Sequence, residues 1–90
     1  MRLTQTVKVP FSQGMHMRPV TLIVKLLQSV DATVTFTYQG QDVNAKSIIG
    51  VLSLAIPHQA ALEITVDGQD AKRTLEKVLE IFQEKGNCGR

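Results

Sequence analysis

The sequence predicts an α+β fold: a four-stranded antiparallel sheet with helices packed on one side. Three observations carry this. Period-2 segments and period-3.6 segments follow one another in the order β-α-β-β-α-β-α. Each segment has apolar residues on one face only, so each needs a single covering layer. The chain has 90 residues, 43% of them apolar, with no internal repeat or linker, which fits one domain with one core. Residues 1–90 are read as that single domain, with the core in about 3–84 and 86–90 as a fraying tail.

Thr4 to Val9 is the first strand, with Gln5, Val7 and Val9 on one face and Thr4, Thr6 and Lys8 on the other. Pro10 ends it, and Phe11-Ser12-Gln13-Gly14 is a loop. Pro19 is tolerated in a first helical turn, where its missing N–H costs nothing. Val20, Ile23, Val24 and Leu27 then recur at helical spacing, giving a helix from about His16 to Ser29. Thr33 to Tyr38 alternates: Val34, Phe36 and Tyr38 face one way, and Thr33, Thr35 and Thr37 face water. Gln39-Gly40 is a hairpin turn, and Gln41 to Asn44 the return strand. Ile48, Ile49, Val51, Leu52 and Leu54 make a short apolar helix or turn that Pro57 closes. Leu62, Ile64 and Val66 alternate with Glu63, Thr65 and Asp67 in the last strand. Asp70 caps a closing helix, whose stripe is Ala71, Leu75, Val78, Leu79 and Phe82 and whose end falls near Gly86.

Composition excludes several function classes. Net charge is only +2. Basic residues lead in residues 1–50 (Arg2, Lys8, Arg18, Lys25, Lys46 against Asp31, Asp42), too mildly for a nucleic-acid binder. No aromatic lies on the threonine face that an RNA-binding sheet would use for stacking. Cys88 is the only cysteine, and it has no zinc spacing with His16 or His58. No metal or other cofactor is therefore expected. No apolar run approaches the roughly 20 residues of a membrane span, and residues 1–6 show no signal-peptide core. The expectation is a small soluble cytoplasmic protein, a monomer, without membrane insertion.

Chemistry concentrates in two segments. In Gly14-Met15-His16-Met17-Arg18-Pro19 a histidine stands where a loop meets a helix. The first amides of a helix lack intrahelical acceptors and carry partial positive charge, which suits an anion. An imidazole can take up a transferred group covalently, and the Arg18 guanidinium can hold phosphate oxygens in its fork. The same residues also fit an exposed capping histidine beside an ordinary arginine. In Asn44-Ala45-Lys46-Ser47-Ile48-Ile49-Gly50, Ser47 is the N-cap of the short helix. A phosphate on its hydroxyl, next to Lys46, would be tolerated there. The large apolar residues after Ser47 either divide between the core and a solvent-facing docking patch or all belong to the core. His58 reads as a surface residue.

Together the two segments resemble HPr, the histidine-containing phosphocarrier family of the bacterial sugar phosphotransferase system. Residues 14–19 look like that family's Gly-x-His-x-Arg-Pro motif, and Val43 to Val51 like its regulatory-serine motif in Gram-positive-type members. The resemblance covers about residues 3–84. It implies the HPr open-faced β-sandwich, with three helices on one face of the sheet. It implies that His16 accepts a phosphoryl group on Nδ1 from phospho-enzyme I and passes it to enzyme IIA domains. Arg18 would stabilise that group. Ser47 would be phosphorylated by HPr kinase/phosphorylase, slowing loading by enzyme I and, in some lineages, recruiting a catabolite-control repressor. The chain would be a carrier rather than an enzyme. Met15, Met17, Lys46, Ile48, Val51 and Leu52 are expected to form the partner-binding surface, methionine suiting a face that fits several partners.

Two positions depart from the family pattern: Met17 stands where Ala or Thr is common, and Val20 where Ala is common. The alternative reading is an HPr-like regulatory protein that signals metabolic state through His16 and Ser47 without sugar transport. Relatives that replace the active histidine are disfavoured by the presence of His16. A small acylphosphatase-like enzyme shares the strand order, but residues 14–19 fit a carrier site better.

Overall fold

The computed structural model describes the backbone of residues 1–88 and the side chains of residues 1–83. The chain runs β1 (Arg2–Lys8), α1 (Met17–Leu27), β2 (Thr33–Tyr38), β3 (Gln41–Asn44), α2 (Ile48–Ser53), β4 (Ala61–Asp67) and α3 (Ala71–Cys88). The strands form one antiparallel sheet in the order β1-β4-β2-β3. β4 thus lies between β1 and β2, and α1 crosses over it.

The alternation of β2 and β4 sets the two faces. Val34, Phe36, Leu62, Ile64 and Val66 are all fully buried. They meet Val20, Ile23 and Leu27 of α1, Val51 of α2, and Ala71, Val78 and Phe82 of α3 in one cluster. The other face is polar. One row across it runs Thr4, Thr65, Thr35, Asn44, and the next runs Thr6, Glu63, Thr37, Asp42. The threonines of this wet face also bond to one another and to acids: Thr4 Oγ1 lies 3.3 Å from Thr65 Oγ1, and Thr37 Oγ1 donates to Asp42 Oδ1 at 2.6 Å. Thr65, in the middle of its row, is buried by its neighbours.

The Gln39-Gly40 turn is the expected hairpin. Both residues have positive φ, 51° and 80°, as a two-residue turn matched to strand twist requires. A Cβ on Gly40 would meet nothing within 4 Å, so its role is conformational.

Element ends differ from expectation. β1 starts at Arg2 and stops at Lys8. Val9 follows it, buried, with its N–H donating to Ala60 O at 2.9 Å. α1 starts at Met17, leaving His16 as its N-cap, and stops at Leu27. α3 passes through Gly86 and ends two residues on, at Cys88. Glycine permits the left-handed stop of a helix without imposing it. The expected tail is therefore helical in its first part, and residues 89 and 90 lie outside the described residues. Among the described residues no helix is long and apolar enough to cross a membrane.

Candidate functional site: the open start of α1

The loop between β1 and α1 is shaped by its own hydrogen bonds. Gly14 N–H donates to Phe11 O at 2.8 Å, and His16 N–H donates to Gly14 O at 2.8 Å. Gly14 has φ +73°, and a Cβ on it would run into the Ile56 carbonyl oxygen and come within 3.0 Å of Pro57 Cα. Glycine is needed here for both reasons. Met15 N–H donates to Ile56 O at 2.9 Å, which ties this loop to the one before β4.

His16 emerges half-buried at the head of α1, in extended backbone, with φ −89° and ψ −177°. Its carbonyl accepts the Val20 N–H at 3.2 Å. The His16 side chain makes no capping hydrogen bond, and the first turn of the helix holds no acid. The Met17 and Arg18 amides have no intrahelical acceptor, and Pro19 has no N–H to offer. α1 therefore presents the positive end of its dipole beside the imidazole. Arg18, second in the helix and exposed, adds a full charge. These features together suit a dianionic group on the ring.

α2 starts differently. Ser47 is its N-cap, and Ser47 Oγ accepts the Gly50 N–H at 3.1 Å. The hydroxyl is exposed. This helix start is capped by its own serine, whereas the His16 side chain leaves that of α1 uncapped.

The expected contact surface is only partly at the surface. Met17 is 57% exposed, and Ile48 and Leu52 are half-buried. Met15 and Val51 are corrections: they are 4% and 1% exposed and belong to the core. The bond from Met15 N–H to Ile56 O turns that residue inward, and Val51 lies on the side of α2 that meets the core. Lys46 is half-buried with its Nζ donating to Val30 O at 2.8 Å, so its ammonium ties down the segment after α1. Ile49, absent from the expected surface, is 80% exposed, and Leu22 is 37% exposed. The apolar excess in residues 48–52 was the available signal for Ile49.

A family model described as the PTS HPr component phosphorylation site matches residues 3–84. The chain belongs to the HPr family. The phosphocarrier protein HPr of Chlamydia muridarum is 38% identical over 69 residues, 77% of this chain. That match spans 66% of the relative's length, just under two thirds. The solved structure of HPr from Bacillus anthracis superposes with a TM-score of 0.85 at 33% identity, covering 90% of this chain and 96% of the other. The catabolite-repression protein Crh of Bacillus subtilis, solved as a swapped-domain dimer, gives 0.73 at 33% identity, covering 90% and 93%. The open-faced sandwich expected from the sequence is thus the HPr fold.

Proposed function

We propose that this chain is a phosphocarrier that bears its phosphoryl group on His16. The observation that carries the reading is the start of α1, where His16 stands as the N-cap without making a side-chain capping bond and no acid lies in the first turn. The Nδ1 lone pair of His16 attacks phosphorus on phospho-enzyme I. The new N–P bond forms as the donor's N–P bond breaks, and the His16 proton stays on Nε2. The reverse exchange delivers the group to an enzyme IIA domain. The Arg18 guanidinium and the first amides of α1 offset charge on the three phosphoryl oxygens. The moderate strength of this set suits a group that must leave as easily as it arrives.

The surface formed by exposed Met17 and Ile49 with half-buried Ile48 and Leu52 receives these partners. Ser47 is the target of HPr kinase/phosphorylase, and its phosphate slows loading of His16. In this reading the chain works as a cytoplasmic monomer. The alternative, an HPr-like regulatory protein without a transport role, draws support from the likeness to Crh and from the exposed Ser47 hydroxyl.

Incubation with phosphoenolpyruvate and enzyme I, read by intact mass, tests the proposal. One acid-labile phosphate, missing in His16→Ala with the fold intact, is the expected result. No adduct, with an enzyme I proven on another carrier, would favour the regulatory alternative.

A further inference from the structure

We propose that His58 is a positioning residue for His16, setting the aim of the phosphoryl acceptor from the opposite loop. The proposal rests on the carrier reading above.

His58 lies outside the family motifs and reads from sequence as an idle surface residue. In the structure its ring is engaged at both nitrogens. Nδ1 lies 3.0 Å from Phe11 O, and Nε2 lies 3.2 Å from Gln59 Nε2. A carbonyl can only accept, so Nδ1 carries a hydrogen and donates it. Nε2 of the neutral ring then accepts from the Gln59 amide. Two neighbours thus select one tautomer and one ring orientation.

The Phe11 carbonyl is where the acceptor loop is built. It accepts from His58 and also from Gly14 N–H, and Gly14 O in turn accepts from His16 N–H at 2.8 Å. The chain of bonds runs from the His58 ring through Phe11 and Gly14 to the backbone of His16. The Phe11 oxygen is held by two donors, and the two peptide groups that flank the Gly14 Cα are each held by a bond, so the loop's backbone is fixed step by step. The Phe11 ring, 3% exposed and 5.4 Å from the Phe82 ring by centroids, fixes the same residue to the core. Phe11 is held through both ring and carbonyl, and only the carbonyl hold depends on His58.

The loop that carries His58 is itself firmly held. Ala60 N–H donates to Pro57 O at 3.2 Å, and Gln59 has φ +72°, the sign a type II turn requires at its third position. Gln59 N–H donates to Val9 O at 2.8 Å, and Ala60 O accepts from Val9 N–H. His58 is therefore presented from a turn anchored on both sides to the chain that leads into the acceptor loop. Only the ring reaches the loop's own carbonyl.

The test compares His58→Phe, which keeps a ring without the donor, with His58→Asn, whose amide can place a donor where Nδ1 was. His58 is exposed, so both variants are expected to fold with melting temperatures near that of the parent. Transfer from phosphoenolpyruvate through enzyme I is measured against carrier concentration. His58→Phe is expected to lower kcat about tenfold with KM nearly unchanged, since a misplaced acceptor costs rate. Asparagine is expected to restore most of it, and Gly14 amide hydrogen exchange should quicken in the Phe variant and recover in the Asn variant. Parental kcat in His58→Phe, or equal loss in both variants, overturns the proposal. A parent chain that takes up no phosphate overturns the carrier reading with it. Unchanged Gly14 exchange in His58→Phe overturns the positioning role even then.

Discussion

Single residues at the two helix starts separate function from stability. Arg18 is exposed and has no acid beside it in the first turn of α1. Arg18→Ala should leave the melting temperature within about 2 °C, as surface substitutions do. It should slow phosphoryl acceptance on the order of tenfold, one charge-assisted hydrogen bond expressed as a rate. A melting temperature that falls as steeply as the rate would make Arg18 structural. Ser47 divides the other way. Ser47→Ala removes the bond to Gly50 N–H and should cost ~1 kcal/mol, a fall of roughly 4–8 °C by calorimetry. Ser47→Asp keeps an acceptor and adds favourable charge at the start of α2. It should melt at least as high as the parent yet load more slowly from phospho-enzyme I. An unchanged loading rate would count against serine regulation. The positions of His16, Arg18 and Ser47 at two helix starts were legible in the sequence, because proline and capping residues mark where helices begin. Met15 and Val51 were misplaced because a loop residue and one turn of helix take direction from packing. The His58 bond to Phe11 spans 47 positions, and no local pattern reports it.

Among the elements, the long period-2 and period-3.6 segments were legible and their ends were not. β2 and the hairpin to β3 fall where alternation and Gln39-Gly40 place them. The glycine near the end of α3 was read as a stop and is passed over. The segment between α2 and β4 shows what periodicity leaves out. Ala55 has φ +51° there and Gln59 φ +72°, a conformation that costs an L-residue roughly 1–2 kcal/mol. Glycine removes that strain but adds chain entropy to the unfolded state, about 0.5–1 kcal/mol. Ala55→Gly is therefore expected to stabilise the fold by about 0.5 kcal/mol, measured by urea unfolding. A loss of stability would mean that the methyl group's contacts outweigh the backbone strain.

The whole molecule rests on one cluster that includes residues of all three helices and of the inner sheet strands β2 and β4. Phe36, in β2, is fully buried in it. Phe36→Ala should cost ~3–5 kcal/mol, a large part of a small domain's ~5–15 kcal/mol. The urea midpoint should then drop by roughly 2 M. A smaller drop would show that the neighbours close over the cavity. That one such cluster would exist was legible from strands and helices each apolar on one face. Its inclusion of Phe11 and Met15 was not, because both come from an irregular loop. The start of the chain has a consequence of its own. Met1 O accepts Gly68 N–H at 2.8 Å, at the edge of the sheet where Arg2 faces Asp67. β1 then runs seven residues before the loop to His16, about 20 Å at strand rise. A bead or a fused enzyme leashed ahead of Met1 is therefore expected to sit at the end of β1 away from the His16 loop, so a tether at the first residue leaves that loop clear.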